Sequence, residues 1–299
     1  MWTPQFDDFV APARRKPQLW RVLVGLLLTV AVYVVTIVLV LLVVFLLAGL
    51  DGLTAWMERI AATDTPTAVL LVMLTFAGMM IGPLLAAWLL HNRSARSVFG
   101  PRLLPNFAIG AGAVVAVFAA AGLLLPTPFD PQPNTPVNLF ISFLPLAVAG
   151  LLLQTGAEEV LFRGYLQGQL AARFRSPLVW MLLPSVAFGA LHYSPSIFGP
   201  NALLMAGIAT ILGLIFADLT RVTGNIGAAW GMHFVNNVTG VLVVSLNGHI
   251  SGLSLWTTPF GPSDTEILRP LMLQDLLVSI IIWAVIRLWL AKRARPLRA

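Results

Sequence analysis

The sequence contains no cysteine, which excludes a disulfide scaffold, a thiolate nucleophile and any cysteine-ligated metal site. It is also poor in charge: charged residues make up 10% of its 299 residues, whereas an average soluble domain contains about 25%. Hydrophobic residues make up 58% of the chain, and the mean hydropathy is +0.89. Because so little charge cannot cover a water-facing surface, the composition disfavours a soluble enzyme, a nucleic-acid-binding protein and a disordered chain.

Apolar stretches long enough to cross a bilayer, which takes about 20 residues in a helix, recur along the whole chain. Proline-rich links such as residues 126–136 separate them and cannot continue a helix. The sequence therefore predicts an all-α, polytopic membrane helix bundle of about eight transmembrane helices. The predicted spans are residues 22–50, 67–90, 106–125, a stretch that begins near residue 137, and residues 177–193, 201–217, 222–246 and 271–290.

The basic residues predict the orientation of this bundle. With both termini in the cytoplasm, all of the 18 Lys and Arg residues except Arg59 and Arg269 fall on the cytoplasmic side, as the positive-inside rule requires. The net charge of +6 then follows from topology, and the expected partner of the basic edge is anionic lipid headgroups rather than nucleic acid. We expect an integral protein of the cytoplasmic (plasma) membrane of a bacterium.

Three polar motifs interrupt the predicted spans and are not explained by topology. Ionisable groups inside spans are costly, so they are functional candidates by default. Within each motif a spacing of four places two side chains on one helix face. The three pairs are Glu159 with Arg163, Phe188 with His192, and His233 with Asn237. Arg163 can neutralise Glu159, which leaves the adjacent Glu158 free for chemistry.

The predicted depths bring these motifs together. If the fourth helix turns near Arg175 into the fifth, Glu158 and His192 lie at the same level of an antiparallel hairpin, and the seventh span brings His233 and Asn237 to a similar depth. A carboxylate and an imidazole can deprotonate a water, and a second imidazole with a carboxamide can stabilise an oxyanion. This set suits hydrolysis of an amide.

Two other chemistries remain open for the same residues. Glu158, His192 and His233 are plausible ligands of a divalent metal such as Zn²⁺, whereas no other cofactor is indicated. Alternatively, Glu158, Glu159 and His192 could form the midplane relay of a proton-coupled secondary transporter. An inverted repeat would favour the transporter, and no second copy of the EExxxR motif occurs in the sequence. A membrane scaffold that binds a partner without catalysis is a further alternative.

The motifs EExxxR, FxxxH and HxxxN, in this order and each in its own predicted span, resemble those of the CPBP family. This family contains the CAAX proteases and bacteriocin-processing enzymes, and its eukaryotic members are the type II CAAX prenyl endopeptidases. The resemblance covers roughly residues 136–246. It implies an intramembrane endopeptidase that acts on membrane-associated or lipidated, CAAX-like protein substrates. Such enzymes are described both as metalloproteases and as glutamate-dependent proteases.

The resemblance also implies a role for each motif residue. Glu158 and His192 would activate the attacking water, and His233 and Asn237 would stabilise the oxyanion. The supporting residues would be Glu159, Arg163 and Phe188. The sequence lacks the HExxH, GxGD and GxSG motifs that are typical of other intramembrane proteases.

Three regions follow from these assignments. Residues 1–135 form three N-terminal spans with a basic leader, residues 136–246 form the catalytic core with spans four to seven, and residues 247–299 form an outer loop, the last span and a basic tail. The stretch 137–174 is too long for one straight span, so we expect a break at Pro145, Gly150 or Gly156.

The remaining polar residues are expected to have no catalytic role. His91 and His249 are expected to be surface residues in loops. Asp218 and Arg221 are expected to form a solvated pair before the seventh span.

Overall fold

A computed structural model describes residues 2–124 and 128–293. These residues form a helical membrane bundle, which confirms the predicted fold class. The predicted end of the third span at Leu125 and the basic tail beyond Arg293 lie outside the described residues.

The helices account for most of the described chain. In chain order they are α1 (Pro4–Val10), α2 (Leu19–Ala62), α3 (Pro66–His91), α4 (Ala95–Phe99), α5 (Leu103–Leu124), α6 (Val137–Glu159), α7 (Gly168–Arg173), α8 (Leu183–Ala190), α9 (Pro195–Phe198), α10 (Ala202–Thr223), α11 (Gly227–Val238) and α12 (Thr265–Arg293). Short 3-10 turns occupy Ala11–Arg15 and Gly199–Asn201, and π-helical turns occupy Val160–Gln167, Leu178–Leu182 and Thr239–Val243.

In the described part of the chain, six helices are long and apolar enough to cross a membrane: Leu19–Ala62, Pro66–His91, Ala95–Leu124, Val137–Arg173, Pro195–Thr223 and Thr265–Arg293. Helices suit this environment because each satisfies its backbone hydrogen bonds internally. The predicted fifth and seventh spans correspond to shorter helices, the apolar helix Leu178–Ala190 and α11.

The predicted break in the fourth span is wrong. Helix α6 runs without interruption through Pro145, Gly150 and Gly156 to Glu159, because packing in a bundle can compensate for the backbone hydrogen bond that proline removes. The irregularity lies later, in the π-helical turn Val160–Gln167 that begins directly after the two glutamates. Turns of this kind occur frequently at functional sites.

Both described ends of the chain lie at the same end of the bundle, next to the last turn of α10. The Thr3 hydroxyl donates a 2.6 Å hydrogen bond to the Arg221 carbonyl, and the Arg287 guanidinium lies 3.4 Å from the Asp218 carboxylate. The N-terminal segment covers this end, because Phe6 is fully buried in the core.

The prediction that His91 is a surface residue is therefore wrong. His91 is fully buried, with Nδ1 2.9 Å from the Lys16 carbonyl and Nε2 3.1 Å from the Tyr165 hydroxyl. The neighbouring Arg93 is also buried and donates to Gln169 and to backbone carbonyls. Burial lowers the pKa of Arg93 to about 10. Sequence alone could not show that the N-terminal segment folds back over this loop.

Two further surface predictions also need correction. The Asp218 carboxylate is buried and accepts hydrogen bonds from Arg221 and from the Trp283 indole, so the pair is not simply solvated. His249 is half-buried, and burial lowers the pKa of its imidazole.

The opposite end carries a small cap made from two loops. Three strands form it in the order β1 (Gln132–Pro133), β3 (Trp256–Thr257) and β2 (Val244–Ser245), where β3 is antiparallel to β1 and parallel to β2. The Asn134 amide donates to the carbonyls of Ser251 and Ser254, which fixes one loop on the other.

Glycines permit close packing between α5 and α11, the helix that carries His233. A Cβ atom at Gly110 would collide with the Ala228 carbonyl, and one at Gly231 would collide with the Phe107 carbonyl. A Cβ atom at Gly112, two residues further along α5, would meet nothing within 4 Å.

We therefore expect Gly110→Ala to destabilise the protein by about 1–3 kcal/mol, since overpacking forces the backbones apart. Thermal unfolding of the full chain in detergent measures this effect. The matched control Gly112→Ala should unfold at the wild-type temperature or slightly above it. Equal unfolding temperatures for the two variants would contradict the close contact.

Candidate active site

The three sequence motifs meet at one cavity inside the bundle. The part lined by Glu158 and His233, called the inner part, has a volume of about 360 Å³. It adjoins a part of about 610 Å³ that extends to Thr63 and His249 and is called the outer part; both sizes are typical of ligand sites. The inner part is lined by Gln154, Glu158, Phe188, His192, His233 and Asn237. Because Gln154, His192 and Asn237 also line the outer part, the two parts are continuous. Phe129, Thr258 and Phe260 line the inner part from the loops of the cap.

The two adjacent glutamates at the end of α6 have different surroundings. Glu159 is fully buried, and its Oε1 lies 3.3 Å from Nη1 of Arg163. Glu158 lines the cavity: its Oε1 accepts a 2.8 Å hydrogen bond from Gln154. Its Oε2 has no hydrogen-bond partner among the described residues. Glu159 is thus held in a buried ion pair, whereas Oε2 of Glu158 makes no hydrogen bond with a described residue.

Aromatic rings surround the Arg163 guanidinium. Its Cζ atom lies 4.6 Å from the ring centre of Phe188, 5.0 Å from that of Phe216 and 5.7 Å from that of Phe162. Cation–π attraction is strongest where water is excluded, as it is around this buried side chain. Phe188 thus supports the cation of the ion pair. Phe216 does so as well, but nothing in the apolar sequence of α10 distinguishes it.

His233 connects the two glutamates. Its Nδ1 lies 2.9 Å from Oε1 of Glu159, and its Nε2 lies 3.5 Å from Oε2 of Glu158. The ring stacks on Phe216 with 5.1 Å between centroids and 17° between planes. Because an ionised carboxylate only accepts hydrogen bonds, Nδ1 donates to Glu159, and this bond directs Nε2 toward Glu158 and the cavity.

His192 lies in the turn that follows α8, rather than within the helix. Its Nδ1 is 2.9 Å from the Phe188 carbonyl oxygen, which can only accept. Nδ1 therefore carries a proton, and in the neutral ring Nε2 has the free lone pair. Nε2 makes no hydrogen bond within the described parts of the chain, so it is available to a molecule in the cavity.

Asn237 reaches Glu158 through Gln154, a residue that sequence reasoning missed. The Asn237 amide donates a 2.9 Å hydrogen bond to Oε1 of Gln154, and the Gln154 amide donates to Glu158. The available signal was an amide side chain one helical turn before Glu158 in an apolar span. This chain of hydrogen bonds fixes the orientation of the Glu158 carboxylate.

The possible metal ligands Glu158, His192 and His233 all line the cavity. Among residues 2–124 and 128–293, no group of three or more His, Asp or Glu side chains is arranged to hold a metal ion. The possible ligand set suggested by the sequence, Glu158 with His192 and His233, is thus not gathered into such a group in this conformation.

The fold and the cavity together define a polytopic helical membrane protein with a buried carboxylate and histidine centre. Residues 136–239 match a family model described as "Rce1-like: Type II CAAX prenyl endopeptidase Rce1-like". The family resemblance read from the three motifs is confirmed over this segment, which contains every motif residue. The matched family is one of CAAX-type endopeptidases.

One curated relative aligns along nearly the whole chain. It is "Uncharacterized protein YyaK" of Bacillus subtilis (strain 168), which is 23% identical over 287 residues, 93% of this chain and 96% of the relative. No solved structure matches.

The hydrogen bonds through Gln154 predict energetic coupling. We expect Gln154→Leu and Asn237→Leu each to lower the stability of the full chain, because each leaves a polar partner unsatisfied. In the double variant the effects should be non-additive by about 0.5–3 kcal/mol, measured by thermal unfolding. Gln274 is exposed on α12, so Gln274→Leu combined with Gln154→Leu should be additive. Additivity in the first cycle would contradict the coupling.

Proposed function

We propose that this protein is an intramembrane endopeptidase that hydrolyses a peptide bond in membrane-associated or lipidated, CAAX-like proteins. The observation that carries the proposal is that Oε2 of Glu158 and Nε2 of His192, both without hydrogen-bond partners among the described residues, belong to side chains that line one cavity. The family match over residues 136–239 supports the same activity.

The first step is activation of water. Glu158 and His192 bind a water molecule in the cavity, and one of them removes its proton as the oxygen attacks the scissile carbonyl carbon. The carbonyl π electrons move to oxygen, which gives a tetrahedral intermediate with a negative charge. The proton taken from water then passes to the leaving amine as the C–N bond breaks, so the site returns to its starting protonation.

The second requirement is stabilisation of the oxyanion. Nε2 of His233 and the amide of Asn237 donate hydrogen bonds to it. Donation from both ring nitrogens of His233 requires the cationic ring, and the adjacent carboxylates of Glu158 and Glu159 offset its charge. Glu159 and Arg163 act through His233, whose ring they hold in place.

We also propose the placement of the enzyme in its membrane. The end of the bundle that carries both described chain ends would face the cytoplasm, because Lys and Arg residues concentrate there. The bacterial source of the relative supports the plasma membrane of a bacterium. The catalytic core would extend over residues 136–246, between the N-terminal spans of 1–135 and the last span within 247–299.

Substitution of the water-activating residues tests the proposal. In liposomes, Glu158→Gln and His192→Ala should each lower cleavage of a membrane-tethered peptide by about 100-fold or more, since each removes a general acid–base group. Glu58 is an exposed acid on α2, so Glu58→Gln is the matched control and should cleave at the wild-type rate.

Wild-type rates in folded preparations of both site variants would refute the mechanism. If the wild-type protein moves a solute and protons in a Glu158-dependent manner but cleaves no peptide, the transporter alternative is correct. Comparison of membrane-protein termini in cells that carry wild type or Glu158→Gln identifies the substrates, whether prenylated CAAX ends, leader peptides or other membrane proteins.

Metal removal is a separate test. Because the three candidate ligands are not gathered in this conformation, we expect cleavage to continue at an unchanged rate after exhaustive chelation. The measurement is the rate on one tethered peptide before chelation, after it and after addition of Zn²⁺. Loss of activity on chelation with recovery on Zn²⁺ would show instead that the cavity gathers Glu158, His192 and His233 around a metal.

A further inference from the structure

The last helix contributes a carboxylate to the same cavity. Leu268, Leu271, Met272 and Asp275 all line it from α12, and their spacing of three, four and seven places them on one helix face. Asp275 also lines the outer part of the cavity. It lies outside the three sequence motifs and outside the matched segment 136–239.

Asp275 is exposed and lines the cavity, and it differs from the buried acids Glu159 and Asp218 because it has no cation. Glu159 is paired with Arg163, and Asp218 is paired with Arg221 and Arg287. By contrast, the Asp275 carboxylate makes neither a hydrogen bond nor an ion pair with any described residue. An unpaired ionisable group in a span is costly and is usually retained for function.

The surroundings of Asp275 suit a long cationic side chain. Neither part of the cavity has a Lys or Arg among the described residues that line it. Met205, Leu268 and Met272 line the same cavity and present apolar surface. Lys and Arg pack their aliphatic stems on apolar surface and place their charge on a polar partner, and this cavity offers both. A substrate carboxylate would face two acids, Glu158 and Asp275.

We propose that Asp275 is a specificity-determining residue that binds a Lys or Arg side chain of the substrate close to the scissile bond. This inference rests on the proposed peptidase function and names the substrate class of that site. The substrate's cation replaces the missing internal partner of Asp275, so binding of a basic peptide relieves the cost of the unpaired charge.

The experiment uses the full chain in liposomes and a randomised library of lipid-anchored peptides. Matched members carry Lys, Gln or Glu at one position at a time on either side of the cleaved bond. At one position the wild type should cleave the Lys peptide with a kcat/KM about tenfold or more above that of the Gln peptide, since close charge pairs discriminate strongly. The Glu peptide should be cleaved least.

Asp275→Asn should bring the ratio of kcat/KM for the Lys and Gln peptides close to one, whereas Asp275→Glu should preserve the preference for Lys. Glu266 is an exposed acid at the start of the same helix, so Glu266→Gln should keep the wild-type ratio. Asp275→Asn should also unfold at or above the wild-type temperature, because it removes an uncompensated charge.

Three outcomes would overturn the inference while leaving the proposed function intact. These are Glu158-dependent cleavage with no preference for Lys at any position, an unchanged preference in Asp275→Asn, and a lower unfolding temperature in Asp275→Asn, which would reveal a structural partner. Absence of any cleavage by the wild type would instead refute the proposed function itself.

Discussion

The buried ion pair of Glu159 with Arg163 and the hydrogen bond of Glu159 with His233 hold the candidate site together. One carboxylate oxygen of Glu159 contacts both Arg163 and His233, and so joins α6, the following π-helical turn and α11. Removing one partner of a buried pair typically costs about 3–5 kcal/mol, because it leaves an uncompensated charge. Arg163 is held in turn by the rings of Phe188 and Phe216. His233, which lines the cavity, is oriented by this group.

The contacts of Glu159 determine which partners remain for Glu158. Since Glu159 contacts Arg163 and Nδ1 of His233, Glu158 keeps a hydrogen bond from Gln154 on one oxygen and a 3.5 Å contact to Nε2 of His233 on the other. Two consecutive acids on one helix thus have different environments. Such separation of paired titratable groups is how sites assign distinct roles to the same residue type.

The scarcity of charge explains which parts of the site the sequence predicts. In a chain with so few charged residues, Glu158, Glu159 and Arg163 stand out in an apolar span, and the spacing of four relates each pair of motif residues. The roles of Gln154 and Phe216 depend on contacts between distant helices, so no local pattern reveals them. The burial of His91 likewise depends on an N-terminal segment that folds back over the bundle.

The sequence predicts the fold in part, as it does the site. Hydropathy gives the class of bundle and the positions of its helices, because the bilayer sets the length of a span. Hydropathy does not distinguish a helix that spans the membrane from a shorter helix such as α11. Proline does not show where the π-helical turn Val160–Gln167 lies. Helix α6 passes Pro145 and changes to π geometry only after Glu159, since the packing of neighbouring helices, which is not local in sequence, determines where the backbone can deviate.

The absence of Lys and Arg from the described lining of the cavity connects the proposed chemistry with the proposed specificity. A permanent cation in that lining would pair with Glu158 and occupy the oxygen that the mechanism needs. Arg163 therefore lies behind Glu159, enclosed by aromatic rings rather than open to the cavity. Because the described lining has no Lys or Arg, Asp275 also has no cationic partner within it. A basic substrate side chain can then supply a charge that, if it were built into the protein, would compete for the catalytic base.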